Sequence, residues 1–225
     1  MQKIEMVVFD MAGTVVNENN VVYKTLLKSI NNHGYLVDLD FVLEHGAGKE
    51  KEQAIKDIIL AHEGVGNEEL ATYIFNEFKD YLAKAYEELY VESYKGVDKL
   101  LKKIRIAEIK IALNTGYNKE TAQFLLNKMN WKKGVEYDLL ITADDVKRGR
   151  PNPDMIFEAM NVLHINDASR VLKAGDSIID IQEGKNAHCG ITVGVTTGAH
   201  TKEQLKSAEP TYVMNSLVEL EEVLF

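Results

Sequence analysis

From residue 111 onward, short apolar runs alternate with segments of helical period, a pattern that leaves few folds open. The runs cover residues 111–113, 139–142, 171–174 and 191–195, and the helical segments cover residues 120–129, 154–163 and 179–187. Continuous apolar strands separated by helices suit a parallel sheet covered on both faces, because each parallel connection must cross back over the sheet. A further run at residues 4–9 adds a buried strand at the start of the chain. It ends on a carboxylate, Asp10, and Gly13 permits an abrupt turn just after it. The expected fold is α/β, a doubly wound parallel sheet.

Between residues 15 and 91 the pattern changes to four helix-like stretches, punctuated near Gly34, Gly46 to Gly48 and Gly64 to Gly66, with no strand. This reads as an α-helical insert placed directly after the first strand. It emerges at the carboxyl edge of the sheet, where open α/β folds bind their ligands. The expected division is a catalytic core of residues 1–14 and 92–225 and a helical cap domain of residues 15–91. The hinges fall at residues 15–20 and 91–96. A chain of 225 residues is long enough for both.

Composition narrows the partners. A formal net charge of −9 leaves no basic surplus to displace counterions from a nucleic-acid backbone. No stretch is long enough to span a bilayer, and the first residues lack a basic segment and cleavage site of secretory type. The single cysteine, Cys189, has no partner for an intramolecular disulfide, which fits a reduced, cytoplasmic setting. The expected partner is a small metabolite, with neither nucleic acid nor membrane involved.

Four strand-end clusters carry the chemistry: Asp10-Met11-Ala12-Gly13-Thr14, Asn114-Thr115-Gly116-Tyr117, Gly149-Arg150-Pro151, and Gly175-Asp176-Ser177 with Asp180. In a doubly wound sheet these ends converge and supply a carboxylate nucleophile, a hydroxyl, a fixed cation and further acids, the parts of a phosphoryl-transfer site. Asp10, partly desolvated at the end of a strand, is the candidate nucleophile; the bland alternative is a turn or helix cap. Asp10, the backbone carbonyl of Ala12 and Asp176 suffice for Mg²⁺, with Asp180 as an added ligand or a support. Either of the later acids is otherwise a helix cap. Thr115 is expected at a helix N-terminus, where its hydroxyl and the amides of Gly116 and Tyr117 hold phosphate oxygens. Arg150 is the expected cation, with Arg148 and Lys147 as rivals.

These clusters, in this order, resemble the haloacid dehalogenase superfamily of hydrolases over nearly the whole chain. The variants Asp-Met-Ala-Gly-Thr, Thr-Gly-Tyr and Gly-Arg-Pro, with the later run from Thr197 to Leu205, resemble its phosphonatase branch, that of phosphonoacetaldehyde hydrolase and its relatives. The resemblance implies a Mg²⁺-dependent hydrolase that forms an aspartyl-phosphate on Asp10. Ala12 departs from the wider superfamily, where a second aspartate serves as general acid and base, so mutase activity is disfavoured. In the phosphonatase branch a cap lysine fills that gap by forming a Schiff base with the aldehyde. Spacing from Gly48 places Lys51 on that lysine, with Lys49 one shift away. Glu50 and Glu52 flank Lys51 and are expected to oppose the lowered pKa such a lysine needs. Ala47 and Ala54 stand where the phosphonatase carries methionine and histidine. The bland reading of Lys51 is a solvated lysine on a charged helix face.

The expected function is therefore hydrolysis of a small phosphorylated or phosphonylated metabolite. The alternatives are a phosphate-monoester phosphatase of phosphoglycolate phosphatase type and a non-catalytic phosphometabolite-binding protein. His45 and His200 have no metal-ligand spacing and stay outside the chemistry.

Overall fold

The structure, a computed structural model, describes residues 3–225. In chain order the elements are β1 (Met6–Asp10), β2 (Val16–Asn17), α1 (Val21–Asn31), α2 (Leu39–Gly46), α3 (Lys51–Glu63), α4 (Glu68–Glu88) and β3 (Glu92–Ser93). They are followed by α5 (Val97–Ile106), β4 (Lys110–Asn114), α6 (Lys119–Lys128), β5 (Leu139–Ile141), α7 (Asp154–Leu163), β6 (Val171–Gly175) and α8 (Ile178–Asn186). The chain closes with β7 (Ile191–Val195), α9 (Lys202–Ser207), β8 (Tyr212–Met214) and α10 (Glu221–Leu224).

Six strands form one parallel sheet in the order β5-β4-β1-β6-β7-β8. The first strand lies inside it, flanked by β4 and β6, which is why β1 reads as an unbroken apolar run. Val7 and Phe9 enter one apolar cluster and Met6 and Val8 the other, the period-2 alternation of a strand buried on both faces. Register then fixes the site: Asp10 pairs with Asn114 of β4, and Phe9 lies opposite Ala174 of β6, one residue before Gly175. The carboxyl ends of the three central strands reach the same edge.

Helices α1 to α4 follow one another without a strand of the main sheet between them and pack together, α1 on α4 and α2, and α3 on α2 and α4. Their loops fall at the glycines. Gly34 and Gly64 adopt positive φ, and Gly64 ends α3 in the left-handed conformation that lacks a steric penalty only in glycine. One correction concerns residues 15–91, expected to be free of strands. Val16 and Asn17 form β2, which pairs antiparallel with Ser93 and Glu92 of β3. A two-residue strand is too short for alternation to register. The structure also adds α5, α9 and β8 to the elements marked by apolar runs. No helix among the described residues is long and apolar enough to cross a membrane.

Candidate active site

Asp10 ends β1 and is buried, and the chain turns at once: the carbonyl of Met11 accepts hydrogen bonds from the amides of Thr14, Val15 and Val16 at 3.2, 2.9 and 2.8 Å. Gly13, at φ +85°, makes the turn possible and also leaves space. A methyl group at Gly13 would lie 2.3 Å from Asp176 Oδ2, and one at Gly198 only 1.9 Å from it. Asp176, one residue beyond β6, therefore slots its carboxylate between two glycines, where Oδ2 accepts the Ala199 amide at 2.6 Å. Gly175 clears room in the same way for Asp180, which a methyl there would approach to 2.1 Å.

Arg150, not Arg148, is the cation at Asp10. Its Nη1 lies 2.7 Å from Asp10 Oδ1 and 2.9 Å from Asp180 Oδ1. Its Nη2 donates to the carbonyl and side-chain oxygens of Asn114 at 2.7 and 2.8 Å. Arg148 is exposed and engages Asp154, and Lys147 is exposed. Behind Arg150 sits Lys173, buried in β6, with Nζ 2.7 Å from Asn114 Oδ1 and 2.9 Å from Asp180 Oδ1. Glu183 completes the cluster, accepting from Asn114 Nδ2 at 2.9 Å and lying 3.3 Å from both cations. Lys173 and Glu183 were not among the expected residues. The signal was a lone lysine in the apolar run 171–174, since a buried ammonium requires buried acids.

Four buried acids (Asp10, Asp176, Asp180, Glu183) thus face two buried cations, Arg150 and Lys173. The imbalance appears in the titration. Burial, followed by the Asp10 and Asp180 charges, holds Asp176 well above the ordinary carboxylate range. Burial also raises Asp10, with the Asp180 charge adding to it against the Arg150 guanidinium. Asp180 moves the other way: burial opposes it, but Arg150 and Lys173 hold its carboxyl low. Carboxylate oxygens of Asp10, Asp176 and Asp180 come within 4.8 Å of one another. Hard oxygen donors with surplus negative charge fit a hard divalent cation. Asp180 contributes least to such a site, because its Oδ1 faces Arg150 and Lys173 and its Oδ2 accepts the Ser177 hydroxyl.

Thr115 is buried at this edge, but it does not head a helix: α6 starts at Lys119 and is capped by Asn118, whose side chain accepts the Thr121 amide at 2.8 Å. Thr115 instead directly follows β4, and its hydroxyl accepts the Tyr117 amide at 3.2 Å. Asp10, Ala12, Thr115, Gly116, Tyr117, Arg150 and Asp176 nevertheless line one small cavity from the sheet side.

Tyr23, Gly48 and Lys51 close that cavity from the helical side, leaving about 10 Å³, the room of a single water. Tyr23 Oη accepts the Gly48 amide at 3.0 Å. Lys51 Nζ donates to the Lys49 carbonyl at 2.6 Å and lies 5.1 and 5.2 Å from the ring centres of Tyr23 and Tyr117. Burial lowers the Lys51 pKa to about 8, although Glu50 and Asp10 pull it upward. The expected opposition is present in Glu50 but is outweighed by burial, and both flanking acids have partners of their own. Glu50 caps α3, accepting the amides of Glu52 and Gln53, while Glu52 pairs with Lys56 and Thr72. Lys49 is half-buried and ion-paired to Asp57.

A further buried acid, Glu18, was hidden in the polar stretch Asn17–Asn20. It accepts the Val22 amide at 3.3 Å at the start of α1, and burial pushes it up to about 7. His200 is buried, and its Nδ1 accepts the Ile178 amide at 3.0 Å. Burial pushes the Cys189 thiol up to about 12, so it is no nucleophile. A cleft of about 680 Å³ bounded by Tyr94, Asp98 and Trp131 shares no residue with the Asp10 cavity.

Residues 7–207 match the haloacid dehalogenase-like hydrolase family, and the chain belongs to it, a hydrolase by that membership. It is 29% identical over 236 residues to the phosphonoacetaldehyde hydrolase of Bacteroides fragilis, an alignment covering 99% of this chain and 89% of that protein. Among solved structures, a phosphonoacetaldehyde hydrolase-like protein from Oleispira antarctica superimposes with a TM-score of 0.84 at 22% identity, over 98% of this chain and 91% of that one. A predicted phosphoglycolate phosphatase from Haemophilus somnus gives 0.82 at 16% identity over the full length of both. At such identities the two structures speak for the fold.

Proposed function

We propose that the chain hydrolyses a small phosphonylated metabolite at Asp10 with phosphonatase-like chemistry, residues 15–91 acting as a cap over a core of residues 1–14 and 92–225. Asp10, the Ala12 carbonyl and Asp176 would hold Mg²⁺, which when bound offsets the surplus negative charge of the site and of the phosphoryl oxygens. Thr115 and the Gly116 amide receive those oxygens, the Tyr117 amide joining them once it leaves the Thr115 hydroxyl, and Arg150 fixes the Asp10 carboxylate in line with phosphorus. Asp180 steadies Arg150.

The observation that carries this reading is Lys51, buried in the wall of the Asp10 cavity with a pKa near 8. An amine of that kind is neutral often enough to add to an aldehyde carbonyl, losing water to give an iminium. Asp10 oxygen then attacks phosphorus, the C–P bond breaks, and its electron pair passes into the iminium to give an enamine. Water releases phosphate from Asp10, and protonation and hydrolysis of the enamine free Lys51. No acid is required at position 12.

One observation favours the ester reading, that of a phosphate-monoester phosphatase of phosphoglycolate phosphatase type. Ala47 and Ala54, standing where the resemblance has methionine and histidine, are buried, and Ala54 packs beside Gly46 of α2. In that case Lys51 acts as an ammonium beside the leaving oxygen. The test is phosphate release with Mg²⁺ from phosphonoacetaldehyde and from a panel of phosphate esters including phosphoglycolate. Release from the phosphonate that needs both Asp10 and Lys51, with borohydride trapping the aldehyde on Lys51, supports the first reading. Release from esters alone, lost in Asp10→Asn and weakened in Lys51→Ala, with no aldehyde trapped on Lys51 by borohydride, supports the second. Ligand-induced thermal stabilisation without any Asp10-dependent release marks a phosphometabolite-binding protein.

A further inference from the structure

The Asp10 cavity has no room for the organic part of any substrate, but it does not end there. Lys51, Gly116 and Tyr117 also line a second cavity of about 380 Å³, which runs between α4 and the start of α6. Its walls are apolar where they are deepest: Val22, Phe78 and Leu82 are buried, and Phe75 lies beside them. Charge stands at both ends, with the buried Lys51 at the inner end and Lys79 at the rim, its Nζ 4.9 Å from the centre of the Phe75 ring. Lys79, Leu82, Asn118 and Thr121 are then shared with a third cavity of about 380 Å³ along the same seam, floored by Phe124. The three spaces follow one another from Asp10 along the α4–α6 seam, each sharing lining residues with the next. Tyr117 lines both the Asp10 cavity and the second one, and its hydroxyl is buried and without a hydrogen-bond partner among the described residues. A buried hydroxyl left unpaired is costly, and a ligand oxygen placed there would satisfy it.

We propose that the α4–α6 seam receives the leaving part of the substrate, and that the chain acts on phosphonates or phosphates whose organic body is an aliphatic or aromatic group of about six carbons. This rests on the reading of Asp10 as the phosphoryl-accepting residue. A two-carbon aldehyde displaces the volume of only two or three waters, at about 30 Å³ each. Cavities that hold small organic ligands begin at roughly 300 Å³ and are mostly apolar, with a few placed polar groups. The seam has that size and that lining. The phosphoryl group lies against Asp10, with Tyr23, Gly48 and Lys51 drawing back to widen a cavity of about 10 Å³, the adjoining carbonyl or hydroxyl oxygen meets Tyr117, and the apolar body lies on Val22, Phe78 and Leu82.

The test is calorimetric titration of the intact protein, in Mg²⁺, with methyl-, butyl-, hexyl- and octylphosphonate, which bind but are not turned over. Kd is expected to fall roughly threefold per methylene up to hexyl. Thr121→Trp, filling the seam from α6, should cut the hexyl-over-methyl advantage to under threefold. Leu82→Ala, widening it from α4, should move the tightest binder from hexyl to octyl, a gain that a merely unstable protein cannot show. A chain-length series that is flat in the unsubstituted protein, or an advantage that survives Thr121→Trp intact, would overturn the proposal. The two readings fail separately. A clear series without Asp10-dependent phosphate release sinks the catalytic reading alone, and phosphate release with a flat series sinks the seam alone.

Discussion

At the residue scale, the decisive group is the ammonium of Lys51. If it acts as an amine, kcat/KM on phosphonoacetaldehyde should rise with pH through about 8, as the lysine loses its proton, and Lys51→Ala should cost roughly 10²–10⁴-fold. A fall above pH 8 would assign it the ammonium role of an ester phosphatase. Glu18 gives a second pH signature, on stability. Its folded pKa, about 7 against an ordinary 4.5, lies above the unfolded value, so the folded state holds the extra proton and loses stability as pH rises from 4.5 to 7. Glu18→Gln keeps an acceptor for the Val22 amide and should be more stable than the parent at pH 8 by about 3 kcal/mol. The gain should vanish below pH 4.5 in urea unfolding. Asp10 and Asp176 were legible in the sequence because a charged group at the end of an apolar strand has few structural reasons to be there, whereas Arg150, in the loop after β5, stood apart from Lys147 and Arg148 only through Pro151 and the family resemblance. Glu18 was not, because a glutamate among asparagines looks solvated until the fold buries it, and Glu183 was not, because a helical acid reads as surface until Lys173 turns out to face it.

At the scale of elements, the contact between α2–α3 and the sheet edge is made by glycine on both sides. A methyl at Gly116 would come within 3.0 Å of the Gly48 and Lys49 carbonyls, and one at Gly48 within 2.7 Å of Ser177 Oγ. Gly116→Ala should therefore hold the loop carrying Lys49 and Lys51 slightly away from Asp10. Turnover is expected to drop roughly 10- to 100-fold while the urea unfolding midpoint barely moves. A large loss of stability, or unchanged turnover, would show that this contact does not set the working geometry. Five of the six strands of the sheet and most of its helices were legible from their periods; residues 154–163 form α7 without adjustment. Thr115 shows the limit. The sequence places it before a helix, yet Asn118 makes the better cap, so the helix starts four residues later and Thr115 stays directly after the strand. The edge strand β8 and the pair β2–β3 are too short to carry a pattern of their own.

For the molecule as a whole, the excess of buried acids makes metal and stability interdependent. Adding Mg²⁺ to chelator-treated protein at pH 7 should raise the melting temperature, with about 2.7 kcal/mol gained at 100 times Kd. Asp176→Asn should melt higher than the parent without metal, since it removes a buried charge that Asp10 and Asp180 repel, and should lose most of the response to Mg²⁺. A variant that melts lower in chelator, yet still responds to Mg²⁺, would mean that the cation sits elsewhere. The β2–β3 pair has a consequence on a longer timescale. Val16 faces Ser93 and Asn17 faces Glu92, so the chain leaves for α1 and returns from α4 at points about 5 Å apart. Whatever hangs between those points can be lengthened, shortened or exchanged in descent without rethreading the six-stranded sheet. Asp10 and the cations beside it are inherited with the sheet and the wall facing them with the helices, so a lineage can change its diet while keeping its chemistry.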